Sequence, residues 1–526
     1  MTGLMLAQFL ISIDRTIIST AIPYITHEFA STPDLGWYGS AYLLTACAFQ
    51  PLFGRVFMIF SIKKAYLIAV FLFEAGSLLC GAAPNSLTLI IGRAIAGLGS
   101  AGILTGSFVV VGAAVPLQSR PIFMAVVGTM YGVGATTGPL LGGVFTDLVS
   151  WRWCFYVNLP IGAATVATLV LFFHPNKNEH SQRGLIERIL GLDIVGNVLL
   201  LGSAIMTFLA LEYTMQGMAW SSPRVIGLLA GSGGASIAFI GWQVWKGDAA
   251  LMPPRIIRQR TVAASCGMAF MIYAALINLT YFLPVWFQAV RGVSAIQSGI
   301  NMIPYFVVNA VFSLAAGCFV SKIGYATPPA VIGSALGTAG AGLLTMLRVD
   351  TTTVQWVGYQ VLTSAGFGIS IQQGFTAVQT VLSAEELPIA TAAVVASQSL
   401  GGALFLSVGN SIFQSRLRQA TADRGVGGID VKKLIDGGAA SFRDLVPPEA
   451  LPAMLDIYNK AIVAVLGLSI PLGALAVIIS CFIEWRSVRT ETTETTETTE
   501  TTETTETTAK AGNKEEDVED VDEKGV

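Results

Sequence analysis

The stretch GVGATTGPLLGG, Gly132–Gly143, places five glycines and a proline inside an uncharged apolar run from Ala125 to Phe145. A run of about 20 apolar residues can cross the hydrocarbon core of a bilayer as a helix. Glycine and proline are poor helix formers in water, but membrane helices tolerate them where neighbouring helices pack closely. The stretch therefore predicts a membrane-spanning helix.

Three of these glycines, Gly134, Gly138 and Gly142, recur every four residues. Residues at this spacing share one helix face, so they predict a smooth strip on which a neighbouring backbone can approach closely. Pro139 deprives the carbonyl of Ala135 of its helical donor and predicts a bend. Packing alone would explain such a strip, and the spacing by itself assigns no function.

The whole chain has the composition of a protein embedded in lipid. Of its 526 residues, 53% are hydrophobic and 12% are charged, whereas an ordinary soluble domain has about 25% charged residues. Apolar segments recur almost from end to end and predict an all-α polytopic membrane protein with fourteen transmembrane helices. The predicted spans are approximately Gly3–Pro23, Trp37–Phe60, Ala65–Ala83, Leu87–Val110, Pro121–Phe145, Trp153–Phe173, Gly191–Leu211, Arg224–Trp245, Val262–Phe287, Ser298–Val320, Pro328–Leu347, Val354–Val381, Ile389–Phe413 and Ala461–Ile483.

Basic residues predict the orientation. If both termini are cytosolic, the short inner loops carry eleven Lys and Arg residues and the short outer loops carry three. This is the distribution of the positive-inside rule. A weak internal repeat links the segments Gly54–Lys64 and Gly317–Gly324, and it predicts two six-helix bundles with two helices inserted between them.

The domain boundaries follow from this count. We expect an N-terminal six-helix bundle at 1–173, a cytosolic linker at 174–190, accessory helices 7 and 8 at 191–245, a second cytosolic linker at 246–261, a C-terminal six-helix bundle at 262–483 with a long outer loop at 414–460, and a tail at 484–526. The tail repeats Glu-Thr-Thr and then becomes acidic, a low-complexity composition that is typical of disorder.

The sequence lacks the motifs of several other classes of protein. Its six cysteines are scattered without a CxxC pair, its three histidines have no metal-ligand spacing, and it contains no GxxxxGK[ST] nucleotide motif. We therefore expect neither an enzyme nor an ATP-driven pump, with no cofactor and no metal. A net charge of −3 suggests no nucleic-acid partner.

Several motifs together resemble one family. Gly134-x-x-x-Gly138-Pro139-x-x-Gly142-Gly143 is similar to the antiporter motif of the major facilitator superfamily, which marks its exporters. Ile13–Pro23 and Gly92–Gly102 resemble the first-helix and fourth-helix motifs of its fourteen-spanner drug:proton antiporters, and Ser150–Gly162 resembles the fungal branch. The resemblance covers Ile13 to about Ile483. It implies the major facilitator fold, two six-helix bundles plus two extra helices.

One motif departs from the family pattern. Gly54, Lys63 and Lys64 match the loop motif between helices two and three, but Met58 stands where the family has an aspartate. In the second-half copy, Ser321 occupies the acidic position. A charge lock built on those two carboxylates is therefore not expected here.

Two ionisable residues are candidates for proton coupling. Asp14 and Arg93 lie within apolar spans at depths that differ by roughly 4–5 Å at about 1.5 Å per helical residue, so they could meet. Protonation of Asp14 would then release Arg93, as substrate binding could also do. The resemblance also assigns proton coupling to these positions. The alternative is a static ion pair that joins helices one and four.

Other polar and aromatic residues are candidates for the substrate cavity, although each could instead be a packing residue. Glu74 could be a second proton site or a protonated packing residue. The candidates for the cavity are Arg15, Gln50, Tyr131, Tyr273, Asn278, Gln372, Gln373 and Phe375.

The motifs together predict a function. We expect a monomeric, proton-driven exporter of amphipathic toxins, secondary metabolites or antifungal drugs, with the lipid bilayer, the small-molecule substrate and protons as its partners. The expected location is the plasma membrane, and the vacuolar membrane is the alternative. Rival functions are a carrier of basic amino acids or siderophores with the same fold, and a sensor or scaffold that does not transport.

Overall fold

A computed structural model describes residues 1–29, 34–173, 185–215, 217–423, 442–443 and 446–489. The described residues are mainly helical, and the isolated β-bridge among them joins Tyr325 to Ser487. Most of the first predicted linker, much of the long predicted outer loop and the Glu-Thr-Thr tail lie outside the described residues.

The first group of helices corresponds to the predicted N-terminal bundle. Apolar side chains of these helices form one buried cluster among themselves and contribute to a second cluster that also includes side chains of later helices, such as Phe375 and Val394. Its helices are α1 (Thr2–Phe29), α2 (Leu35–Ile59), α3 (Ile62–Gly81), α4 (Ser86–Ala114), α5 (Arg120–Leu148), α6 (Trp153–Tyr156) and α7 (Asn158–Phe172).

Four helices connect the first group to the last. The long pair α9 and α10 forms a hairpin, and the short helices stand before and after it. The bounds are α8 (Leu185–Leu190), α9 (Ile194–Met215), α10 (Pro223–Lys246) and α11 (Pro254–Ile257).

The last group corresponds to the predicted C-terminal bundle and has its own apolar core. Several predicted spans are divided here into two helices, as at the break between α16 and α17. The helices are α12 (Arg260–Ala289), α13 (Ala295–Asn301), α14 (Ile303–Ile323), α15 (Thr327–Leu344), α16 (Thr353–Ser370), α17 (Gln373–Val378), α18 (Leu387–Asp423), α19 (Leu451–Leu466) and α20 (Ser469–Ser480).

Ten helical segments among the described residues are long and apolar enough to cross a membrane, and α1, which bends by 45° between Thr2–Ile18 and Thr20–Thr26, would be an eleventh. The sequence predicted fourteen. The other three predicted spans coincide with α5, α15 and α16–α17, which are helical but fall outside this set. These helices are rich in glycine, threonine and serine, which lowers their mean hydropathy while permitting close packing.

The two groups meet along two seams. At one seam α2 packs against α18, and at the other α5 packs against α14. The hairpin helix α9 lies against both α2 and α18, so it covers the first seam from the outside.

The groups are in close contact at the end of the bundle where α1 begins and α20 finishes, which we name the closed end. There the Phe108 ring of α4 stacks on the Phe375 ring of α17 with centroids 4.3 Å apart. The backbone of Gly54 in α2 lies so close to Ala392 in α18 that a Cβ at position 54 would approach the Ala392 Cβ to 2.6 Å. The structure is thus sealed at the closed end.

Candidate functional site

A buried ion pair joins α1 to α4. An Nη1 atom of Arg93 donates to Oδ2 of Asp14 at 2.7 Å, and the two side chains are 1% and 0% exposed. The sequence predicted that their depths would allow this contact, and the contact is present. Because an isolated charge in the membrane interior is costly, each residue depends on the other for its charge balance.

Further hydrogen bonds fix both partners. The Asn158 amide of α7 donates to Oδ1 of Asp14 at 3.0 Å and to the Ser77 hydroxyl of α3 at 3.1 Å. Nε of Arg93 donates to the Tyr38 carbonyl at 2.9 Å. The ion pair is therefore the centre of a network that joins α1, α2, α3, α4 and α7.

The ring of Tyr42 connects this network to a second arginine. The guanidinium of Arg93 lies 4.4 Å from the ring centroid, and that of Arg15 lies 6.0 Å from it. Arg15 also donates to the Tyr131 hydroxyl at 3.0 Å. One aromatic ring thus separates the buried ion pair from Arg15, whose side chain lines the central cavity.

The central cavity lies between the two groups and has about 740 Å³ of empty space, part of it continuous with solvent. Helices of both groups and of the hairpin line it. Four of the predicted residues, Arg15, Gln50, Tyr131 and Tyr273, form part of its wall. Gln50 also donates to the Ser399 hydroxyl of α18 at 3.0 Å, so it joins the two groups across the cavity.

The other four predicted cavity residues lie elsewhere, which corrects the prediction. Phe375 stacks in the closed end. Gln373 donates back to the Ile369 carbonyl at the end of α16, Asn278 is fully buried and donates to the Ala274 carbonyl, and Gln372 is packed against Gly128. The rotation of each helix about its axis decides this, and the sequence does not specify that rotation for helices apolar on all sides.

The glycine strip of α5 packs inside the first group. A Cβ on Gly134, Gly138 or Gly142 would overlap the side chain of Ser12, Thr16 or Thr20, respectively, all of them in α1. The strip therefore joins α5 to α1, while α5 meets the second group through its contact with α14. Gly143 has open space beside it.

Pro139 lies within α5, and the two threonines before it bond to carbonyl groups of the preceding turn. The Thr136 and Thr137 hydroxyls donate to the Gly132 and Val133 carbonyls at 3.0 Å, not to Ala135.

Charged residues of the connecting segment cluster at the closed end. Arg55 donates to the Asp248 carbonyl at 2.9 Å, and Arg255 pairs with Glu386, which precedes α18. Met58 stands where the family has an aspartate, and its sulfur lies 3.6 Å from Nη1 of Arg55. The connecting segment therefore supplies charge contacts that the loop motif lacks.

The two lysines of the loop motif lie in the first turn of α3. Lys63 donates to the Val170 carbonyl at 2.8 Å, while Lys64 is exposed.

Among the residues that the structure describes, no group of three or more His, Cys, Asp or Glu side chains could hold a metal ion.

A comparison with known families agrees with this architecture. The family model of the Major Facilitator Superfamily matches residues 4–406, from the start of α1 into α18. The chain belongs to the Major Facilitator Superfamily.

Members of the superfamily from fungi are similar over nearly the whole chain. The MFS-type transporter VdtG of Byssochlamys spectabilis is 44% identical over 489 residues, which cover 93% of this chain and 88% of that protein. The MFS-type efflux pump MFS1 of Trichophyton rubrum is 41% identical over the same length, covering 93% of this chain and 91% of the relative.

Solved structures of the superfamily have the same fold. The human organic anion transporter MFSD10 superposes with a TM-score of 0.59 at 13% identity, covering 92% of this chain and 98% of that one. The likeness supports the major facilitator fold for this chain.

Two parts of the site were missed by sequence reasoning. Asn158 bonds to Asp14, although it lies in the Ser150–Gly162 stretch that was used only as a family motif. Phe208 of α9 lines the cavity, and so do Gln398 and Ser399 of α18. Gln398 and Ser399 are adjacent polar residues within an apolar span, a pattern that could have indicated cavity residues. Phe208 has no distinguishing pattern around it.

Proposed function

We propose that this superfamily member is a proton-coupled exporter of amphipathic small molecules, such as toxins, secondary metabolites or antifungal drugs. The observation that carries the proposal is the buried Asp14–Arg93 pair, one tyrosine ring away from a residue of the cavity wall. Fungal relatives named as efflux pumps, similar over nearly the full length, support the direction of transport.

In the coupling step, a proton replaces Arg93 as the partner of the Asp14 carboxylate. When Asp14 takes up a proton, Arg93 loses the carboxylate that neutralises it, while its bond to the Tyr38 carbonyl remains possible. Arg93 is then held against the Tyr42 ring without a counter-charge, a state that favours rearrangement of α1 against α4. Release of the proton restores the ion pair and returns the helices to the arrangement described above.

The proposed movement is a rocking of two bundles about the central cavity. The predicted boundaries at 1–173 and 262–483 define the bundles, with fourteen spans in all and the hairpin of α9 and α10 as the accessory pair. We place both termini and the closed end in the cytosol of a monomeric plasma-membrane protein, because basic residues concentrate in those loops. In this orientation the structure is closed toward the cytosol.

The test is transport by the full-length protein in sealed liposomes. A panel of neutral, anionic and cationic aromatic compounds is offered under an imposed pH difference, and proton movement is followed with an internal pH-sensitive dye. Wild-type protein should move protons only when it exchanges them for a compound of the panel. Asp14→Asn should lose proton-coupled flux by about 100-fold, because the side chain retains its size but cannot exchange a proton.

Asp456→Asn is the matched control, since Asp456 lies on the surface of α19 in an exposed pair with Lys460. It should transport like the wild type. Equal flux by Asp14→Asn, or wild-type transport that is indifferent to the pH difference, would overturn the proposal.

A further inference from the structure

The central cavity contains one charged side chain among the described residues that line it, and that side chain is Arg15. No aspartate or glutamate lines the wall. The remaining polar groups there are amides and hydroxyls, such as those of Gln50, Tyr273 and Gln398. The wall as a whole is therefore positively charged.

Arg15 lacks the kind of partner that Arg93 has. Arg93 is neutralised by Asp14 at 2.7 Å, but no carboxylate in the described part of the chain forms an ion pair with Arg15. Its contacts are a hydrogen bond to the Tyr131 hydroxyl and the rings of Tyr42 and Tyr131, each 6.0 Å away. Aromatic rings partly offset a buried cation, but they do not neutralise it.

The guanidinium also has unused hydrogen-bond donors. A guanidinium carries five N–H groups, and Arg15 uses one nitrogen, Nη1, for its bond to Tyr131. The donors that remain form a planar fork, which matches the oxygen atoms of a carboxylate, a phenolate or an adjacent pair of carbonyl groups.

The walls around Arg15 favour flat apolar molecules. The rings of Tyr131, Phe208 and Tyr273 and the side chains of Leu43, Leu104 and Leu406 form much of the surface. Such a wall binds an aromatic ring system by apolar contact and stacking, while a few polar groups fix its orientation.

We propose that the substrates are aromatic compounds bearing an anionic or carbonyl oxygen that accepts hydrogen bonds from Arg15, and that permanent cations are excluded. This inference rests on the proposed function as an exporter and specifies its substrate class. An oxyanion supplies the counter-charge that Arg15 lacks, whereas a cation adds a second positive charge in a site of low dielectric constant.

The experiment measures binding and needs no proton gradient. Two probes share one three-ring skeleton: anthraquinone-2-carboxylate and 2-(trimethylammoniomethyl)anthraquinone. Their affinities for the purified full-length protein in lipid nanodiscs are compared by calorimetry. Wild-type protein should bind the carboxylate at least about ten-fold more tightly, as expected for a charge-assisted bond to an arginine in a largely apolar wall.

Three variants locate the source of the preference. Arg15→Gln should bring the two affinities to within about two-fold, because the charge is removed while a polar side chain remains. Arg15→Lys should keep the preference for the carboxylate, since it keeps the positive charge. Lys460→Gln, which removes an exposed charge from the surface of α19, should match the wild type.

The results separate the two proposals. Tighter binding of the trimethylammonium probe by wild-type protein, binding of neither probe, or an unchanged preference in Arg15→Gln would overturn the inference. If Arg15→Gln does not fold, the wild-type ratio and the Arg15→Lys ratio still decide it. A clear preference for the carboxylate without pH-driven flux would instead refute the proposed coupling and leave the binding chemistry intact.

Discussion

The two helical groups differ in the chemistry they place inside the membrane. The first group buries Asp14 and Arg93 and holds Arg15 in the cavity wall, and both carboxyl oxygens of Glu74 are buried without a hydrogen-bond partner. Away from their ends, the described helices α12, α14, α15 and α16 of the second group contain no Asp, Glu, Lys or Arg.

The second group uses neutral amides instead. The Trp286 indole donates to the Asn459 side chain at 2.7 Å, and the Asn459 amide donates to the Leu347 carbonyl at 3.0 Å. Such bonds join helices without requiring a proton or a counter-ion. Under the proposed coupling, the response of transport to pH therefore belongs to the first group, whereas these amide contacts of the second group have no proton to gain or lose.

The largest effect should follow from removing the cation of the ion pair. Arg93→Ala leaves Asp14 buried beside Asn158 without its counter-charge, and we expect it to lower the free energy of unfolding by about 3–5 kcal/mol. Unfolding in detergent, followed by intrinsic fluorescence, measures this. The double variant Asp14→Asn/Arg93→Gln, which removes both charges, should be more stable than Arg93→Ala; equal stability would show that the charges do not depend on each other.

A smaller loss should follow from filling the glycine strip. In Gly138→Leu the new side chain meets Thr16 and the backbone of Ile17, so α1 must move away from α5. We expect a cost of about 3 kcal/mol, at the upper end of overpacking effects, and reduced export. Gly143→Leu is the control because its side chain enters open space. Equal loss in both variants would mean that helix propensity, not the strip, determines the result.

The neutral network of the second group should cost less to break. Asn459→Leu removes the partner of the Trp286 indole and should lower the free energy of unfolding by about 2 kcal/mol. The pH dependence of its transport should match that of the wild type. A shifted pH profile for this variant would show that the second group also contributes to the pH dependence of transport.

The smallest effect concerns the charge contacts at the closed end. Arg255 is 66% exposed, so Arg255→Gln should change the transport rate by about two-fold or less. The exchange variant Arg255→Glu/Glu386→Arg should return the rate to the wild-type value. Arg255 also lies 3.5 Å from Asp248, so failure of the exchange would show that the Glu386 pair does not carry the effect alone.

The sequence was sufficient to predict a helical membrane protein and to indicate that Asp14 and Arg93 could meet, but it did not predict the breaks that divide several spans. Long apolar runs specify spans directly, and two opposite charges at similar depth in such spans have few other partners. The positions of Asp14 and Arg93 in the sequence therefore indicate their contact. The direction of the glycine strip could not be predicted, since a smooth face fits α1 as well as it fits the second group.

The cavity wall was only half predictable for a related reason. Arg15 and Tyr131 line it, but Gln373 bonds back to the preceding helix α16 and Phe375 packs at the closed end. Spacing along a helix gives relative directions, whereas the direction of the cavity depends on tertiary packing. Phe208 was missed because no pattern around it distinguishes it from the other apolar residues of α9.

The position of α9 limits the route by which an apolar solute can reach the cavity. This helix covers the seam between α2 and α18, and its Phe208 reaches the cavity wall. A compound dissolved among the lipid tails is therefore denied a sideways route through that seam. Lateral entry from the lipid is thereby left to the other seam, where α5 packs against α14.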